Sequence, residues 1–424
     1  MKKVKFCVAL RTTSFLAVLG ASSALAQSTT YVVDANGGPG VNFTDLPAAV
    51  AAAQAGDVIA VRSGAYSAFT LGRGVTIVGE SGVVVDSGVQ VAGLPANERA
   101  VFCVLDFGAL KVSTSGGNVT FDECSFTGPT PWTGLVTVES SADVRLHRCK
   151  VFAEVQTNFP LNGSPAVATT ASRVELSSCN VRGGNGIDWG PFSARPGGVG
   201  IDCYASGRVH VALTDVTGGK GGKGNSIMSI AGANGGDGIR VRTGGEVIVA
   251  GVPNDLVRGG DMGAPYGVGT AHPGHGVQVD FGGSLRYSGA TIASGGPYGG
   301  TLAIQNFGTA LHATPNNPTL EVIGNAFAGA SVQLAVHGVV GVSARLQQGN
   351  QALVVDDGQT EIERLDNRIR LHPLGLITTG SVYYTMNIPS NWPVGFLRLF
   401  QGQEVDPATG ALLERTNSVF AIVH

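Results

Sequence analysis

An all-β, right-handed parallel β-helix is the fold this sequence predicts. Three observations carry it: a strand motif recurring at variable spacing, abundant glycine with little charge, and a short helical segment where an open coil would need closing. Glycine supplies 64 of 424 residues, about twice its usual share, and charged residues only 13 %. Low charge with many β-branched residues excludes a helical bundle and charged disorder.

The motif is visible when segments are aligned: Asn118-VTFDECSF, Asp143-VRLHRCKV, Arg173-VELSSCNV, Arg208-VHVALTDV, Glu246-VIVAGV and Ser284-LRYSGATI. Val119, Val144, Val174, Val209, Val247 and Leu285 share a first inward position, and Phe121, Leu146, Leu176, Val211, Val249 and Tyr287 a second. Cys124, Cys149, Cys179, Thr214, Val252 and Ala290 share a third. A second strand precedes each of the later segments, as in Leu135-VTV, Ala166-VAT, Gly200-IDCY, Gly238-IRVR and Gly276-VQVD. Alternation with period 2 turns one set of side chains inward and the other to solvent.

First positions lie 25, 30, 35, 38 and 38 residues apart, and Leu320 extends the series by 35. A constant motif at variable spacing means that one connection in each coil lengthens. The added residues are Gly-rich, at Gly183 to Gly200, Gly218 to Gly238, Gly259 to Gly276 and Gly295 to Gly308. Stacked coils bring all four insertions to one face, the expected seat of function, with their glycines folding back at positive φ.

The first residues read as a secretory leader: Lys2, Lys3, Lys5 and Arg11, an apolar stretch, then Ala24-Leu25-Ala26. The predicted organisation is a signal peptide over 1–26, a capped β-helix over 27–340 and a β-rich domain over 341–424, secreted or held at the cell surface. Cleavage would remove four of the 27 basic and none of the 30 acidic residues, taking the net charge from −3 to −7. No basic face for nucleic acid is evident, and no segment has the roughly 20 apolar residues of a membrane-spanning helix. Cys103, Cys124, Cys149, Cys179 and Cys203 would remain, an odd number that argues against a disulfide framework. The inward register of the Cys124 column points to core packing rather than metal.

Phe43-TDLPAAVAAAQAGDVIAVRSGAY predicts a short amphipathic helix, capped by Thr44 and ended by Gly56, before strands at Ile59-AV, Val75-TIV and Val83-VV. This opening, with the repeat, resembles the pectate-lyase-like β-helix superfamily over roughly Tyr31 to Val340. The resemblance implies polysaccharide as the partner, through lyases, hydrolases, esterases or non-catalytic binders. The segment from Leu371 to His424 resembles terminal β-domains found behind exported repeats, expected to serve attachment or to cover the last coil.

Catalytic motifs match poorly. Gly274-His275-Gly276 resembles an element of polygalacturonases, but no Asn-Thr-Asp occurs, Asp356-Asp357 follows rather than precedes it, and only Arg368-Ile369-Arg370 approximates the last element. A calcium-assisted lyase needs clustered carboxylates and a basic residue. Asp188, Arg195, Asp202, Arg240, Arg242, Asp261 and Asp280 are available without forming a motif. Gly218-GKGGKGNS lacks phosphate-loop spacing, and Asn234-GGDG is a single echo of calcium-binding repeats.

The insertions also carry rings at Trp189, Phe192, Tyr266 and Tyr298, with His272 and His275 nearby. Asp188, Trp189, Arg195, Tyr266, His272 and His275 are therefore the candidate ligand-binding residues, with extracellular polysaccharide or a cell-surface glycan as the expected partner. No cofactor is implied, and calcium enters only if the protein is a lyase. A divergent lyase or glycoside hydrolase and a structural adhesin are the alternatives.

Overall fold

A computed structural model describes residues 28–129, 132–154, 162–188, 194–224, 231–264, 271–296, 301–312, 318–324, 326–349, 351–354, 363–366, 370–392 and 396–423. The predicted leader, Asp356-Asp357 and Arg368-Ile369 lie outside them. Three parallel sheets wind into a solenoid. The first sheet has eleven strands, from Thr30–Val33 to Thr309–His312. The second and third have nine each, from Gly64–Tyr66 to Thr291–Ala293 and from Thr70–Leu71 to Ile304–Asn306. The chain visits the sheets in turn, one circuit per coil, which is the right-handed parallel β-helix that the repeat predicts.

Val119, Val144, Val174, Val209, Val247 and Leu285 stand in one register, none more than 2 % exposed. Each aligned segment spans two strands. Glu123, Arg148, Ser178 and Leu213, at φ 51, 52, 54 and 50°, turn the chain from the first sheet to the second. Non-glycine residues avoid this region unless held there. Here each N–H is bonded to the next coil, as from Glu123 to His147 O at 3.1 Å.

Cys124, Cys149 and Cys179 point inward just past this corner, and all five described cysteines are free and buried. Each of these three Sγ atoms donates to the carbonyl two residues back, at 3.4, 3.2 and 3.3 Å, and Thr214 Oγ1 does the same at 2.7 Å. That shared donor explains why threonine continues a cysteine column. Val252 does not continue it. A turn from Val252 to Asp255 intervenes, closed by Val252 N donating to Asp255 Oδ2 at 2.7 Å, and Val257 pairs with Val216, so Asp255 takes the place.

The cap is the helix Leu46–Ala52, which buries Leu46, Ala49 and Val50 against the first coil. Its N-cap is Asp45 rather than Thr44: Asp45 Oδ1 accepts from Leu46 N at 2.8 Å and from Ser67 N at 3.0 Å, tying the cap to the second sheet's side. Its end is Ala53, in extended backbone, with Gly56 three residues later at φ 91°.

Parallel pairing stops at His312. Leu320 lies in Thr319–Ile323, which pairs antiparallel with Ser331–His337, so it is not a seventh first position. Two antiparallel sheets, with Leu334, Leu346, Phe400 and Val419 between them, form a terminal sandwich. It lies along the outer face of the first sheet instead of over the last coil. Leu399 and Ile422 pack on Val78, Val101 and Cys103, and Asn417 Nδ2 donates to Ser177 Oγ at 3.1 Å.

The same outer face buries a charged pair. His147 Nδ1 is 2.9 Å from Asp122 Oδ1, and Arg148 Nη2 is 2.7 Å from Asp122 Oδ2. Burial dominates for the histidine and pulls it below its ordinary 6.5, although Asp122 pulls the other way. Burial also opposes ionisation of Asp122, but bonds from His147 and the charge of Arg148 outweigh it and leave the carboxyl below 3.8. Both folded values are depressed, so the unfolded chain binds more protons and stability is lost as pH falls. The loss begins below 6.5 for the histidine. The midpoint of urea unfolding is expected to be lower at about pH 5 than at about pH 7.5, with a smaller difference in His147→Gln.

Candidate functional site

All four insertions join a strand of the second sheet to the next strand of the third, and they stack on one another. Each described insertion runs outward and returns. The N–H groups of outgoing legs bond the outgoing leg of the next coil: Gly183 to Thr217 O, Gly186 to Lys220 O, Gly218 to Arg258 O and Gly221 to Asp261 O. Returning legs do likewise, as from Gly197 to Asn234 O and from Gly235 to His272 O. A third set crosses between the layers. Gly198 donates to Gly184, Gly219 to Gly198, Gly236 to Gly219, Gly260 to Gly236, Gly274 to Gly260 and Gly295 to Gly274, all within 2.7 to 3.0 Å.

Three residues farther out the crossing recurs, from Arg195 to Ile187 O, Gly222 to Arg195 O, Ala233 to Gly222 O and Gly263 to Ala233 O. A repeat of three residues with bonds only to neighbouring segments is the pattern of polyproline II chains packed side by side. The insertions form a two-layered glycine slab. Its glycines are required by close approach, not by backbone sign. A Cβ on Gly184, Gly198, Gly219, Gly236, Gly260 or Gly274 would meet a backbone oxygen at 1.9 to 2.5 Å, and none of these six lies in the left-handed region expected of them.

Every third residue turns away from the slab, which makes regular rows. The outgoing face carries Asn185, Asp188, Lys220, Lys223 and Asp261; the returning face carries Pro196, Asn234 and His272, then Val199, Asp237 and His275. The acidic and amide side chains stitch the rows together. Asn185 Oδ1 accepts from Lys220 N (2.9 Å), Asp188 Oδ1 from Lys223 N (2.5 Å), Asn234 Oδ1 from His272 N (2.9 Å), Asp237 Oδ1 from His275 N (2.9 Å) and Asp261 Oδ1 from Gly296 N (2.9 Å). Asn234-GGDG, which resembled a calcium repeat, supplies two of these acceptors.

The candidate residues therefore divide. Asp188 is exposed on the outgoing face, and Arg195 is half-buried on the returning leg of the same insertion, with its backbone in the crossing ladder. His272 and His275 stand on the returning face, the second with Nδ1 2.9 Å from Leu302 O. Asp188 and the two histidines do not share a face. Trp189 and Tyr266 lie outside the described residues, as do Phe192 and Tyr298.

Where the returning legs enter the third sheet, charges pair across coils. Arg242 donates twice to Asp202, at 2.7 Å from both Nε and Nη2, and lies 5.6 Å over the Tyr204 ring; Arg240 Nε is 3.2 Å from Asp280 Oδ2. Beside them, burial raises the carboxyl of Asp237 above its ordinary value, against the bond from His275 N. Sequence spacing did not single out Asp237, because its environment comes from three different coils. Among the described residues no group of three or more His, Cys, Asp or Glu is arranged to hold a metal ion, and no helix is long and apolar enough to cross a membrane. No family model matches the chain, and no curated protein matches it. What the chain shows is its fold, an all-β solenoid of three long parallel sheets.

Proposed function

We propose that this is an exported, non-catalytic β-helix protein that contacts extracellular or cell-surface polysaccharide through the faces of its glycine slab. The observation that carries this reading is the regular array of outward positions, most of them polar, on a backbone cross-bonded from leg to leg. Along a leg the outward positions recur about every 9 Å, at about 3.1 Å per residue, and between coils about every 5 Å. A polymer of repeating sugars presents its hydroxyls at a fixed repeat too, so it can meet many positions of such a row at once. A slab that is already ordered adds little ordering cost on binding. The leader at residues 1–26 and the likeness to the pectate-lyase-like superfamily support the same reading.

The test is affinity electrophoresis of the purified chain in gels containing uronate and neutral polysaccharides, with and without calcium. Retardation by at least one polymer is expected, and Lys220→Glu with Lys223→Glu, which reverses both exposed ammonium groups of one outgoing leg, should weaken it about tenfold on uronates, or about 1.4 kcal/mol. Lack of retardation on every polymer would overturn the reading. The alternative, a lyase or hydrolase, would centre on Asp237, a buried carboxyl whose Oδ1 accepts from His275 N at 2.9 Å, near Arg240 and Asp280. New unsaturated or reducing ends that Asp237→Asn abolishes would replace binding with catalysis.

A further inference from the structure

The last coil consists of Thr291–Ala293, Ile304–Asn306 and Thr309–His312, and each strand is terminal in its sheet. Its core is open. Val257, Val277 and Leu285 in the coil before are 0 % exposed, whereas their register partners Ile292, Ile304 and Ala310 are only partly buried. Around its rim Leu302, Phe307 and Leu311 are 63, 60 and 56 % exposed, with Phe281 at 82 % one coil earlier. The opposite end is closed by the helix Leu46–Ala52.

Charge is missing where it would be protective. From Tyr287 to Leu320 the chain has no Asp, Glu, Lys or Arg, and the three terminal strands, Thr-Ile-Ala, Ile-Gln-Asn and Thr-Ala-Leu-His, contain no proline. Sheet edges that are meant to stay solvated are commonly blunted by charge, proline, a bulge or a covering element. Among the described residues this end has three such edges around an exposed apolar coil.

We propose that this end is a self-association surface, on which a second copy of the chain docks tail to tail. Three edges around one coil call for a partner with three edges in the same arrangement. The helix closes the other end of this chain, so the matching surface is the same end of another copy. A two-fold axis perpendicular to the solenoid lays Thr309–His312 antiparallel on its counterpart and brings Thr291–Ala293 of one copy over Ile304–Asn306 of the other. All three sheets then continue across the junction, and Ile292, Ile304 and Ala310 become interior. Such an isologous contact closes at the dimer. It rests on the fold and not on the polysaccharide reading.

Sedimentation velocity of the purified chain over a dilution series tests this. A dimer that dissociates on dilution is expected, together with protection of the 304–306 and 309–312 amides from hydrogen exchange that is lost as the dimer dissociates. Leu311→Glu puts a carboxylate beside its own copy at the junction and should weaken dimerisation at least about tenfold, since each tenfold is about 1.4 kcal/mol. Its side chain faces outward, so the melting curve of the dilute monomer should be unchanged. A chain that is monomeric at every concentration, growth of open filaments, or a dimer whose 304–312 amides exchange as fast as in the monomer would each overturn the proposal.

Discussion

Gly219→Ala is expected to destabilise the protein by about 3 kcal/mol or more, through overpacking at a site that cannot relax. The added Cβ would sit 1.9 Å from Gly184 O and 2.5 Å from its carbonyl carbon, and both are backbone atoms of the adjoining leg. Backbone cannot rotate aside as a long side chain does, so two layers must separate. The crossing bonds from Gly219 to Gly198 O and from Gly236 to Gly219 O would then stretch together. Thermal unfolding and hydrogen exchange of the slab amides measure the effect, with Lys220→Ala as control. Lys220 is the next residue but faces solvent, so its loss should stay within about 0.5 kcal/mol. Equal effects from the two substitutions would mean that the glycines are not closely packed.

Phe121→Ala is expected to cost about 3–5 kcal/mol, the usual range for emptying a buried phenylalanine site. Phe121 is 0 % exposed and stacks on Phe102 with centroids 4.7 Å apart and planes 9° from parallel. It meets Phe107 and Phe126 edge-on at 6.1 and 5.5 Å, and those two rings stack on each other at 5.2 Å. Four rings from two coils thus share one packing unit. Denaturant midpoints should show Phe102→Ala with Phe121→Ala costing less than the two single changes added, because they share one contact. Strict additivity would place the stabilisation elsewhere in each coil.

The ring unit was legible in part. Alternation alone turns Phe121 inward, and its partner Phe126 falls within the same aligned segment. The corner between them was not legible. Glu123 occupies a left-handed conformation that its residue type does not announce, and it is held there by the carbonyl of His147 in the next coil. The strand of the second sheet is hidden in the end of each motif for the same reason. Thr44 and Asp45 were both competent helix caps by type, and the bond from Ser67 N to Asp45 Oδ1 marks the one that is used.

The sequence by itself determined the coil. Alternation of Val119, Phe121 and their counterparts is a local property of each strand, and stacking follows once each coil must bury one face. It also placed the four glycine insertions on one connection, because their spacing grew while the motif stayed constant. Tertiary structure alone decided what those insertions became. Gly184, Gly198 and Gly219 lie in three separate legs, and only lateral contact shows that each must lack a side chain. The same contact turned Asp188 and Asn234 into acceptors for backbone of the following coil and set His272 on the face opposite Asp188. It laid the terminal sandwich against the first sheet, where Asp122 and His147 are buried. Periodicity along a chain reports which way a residue points relative to its own strand, whereas the slab's hydrogen bonds and close approaches join residues 8 to 40 apart and depend on where the folded coils come to rest.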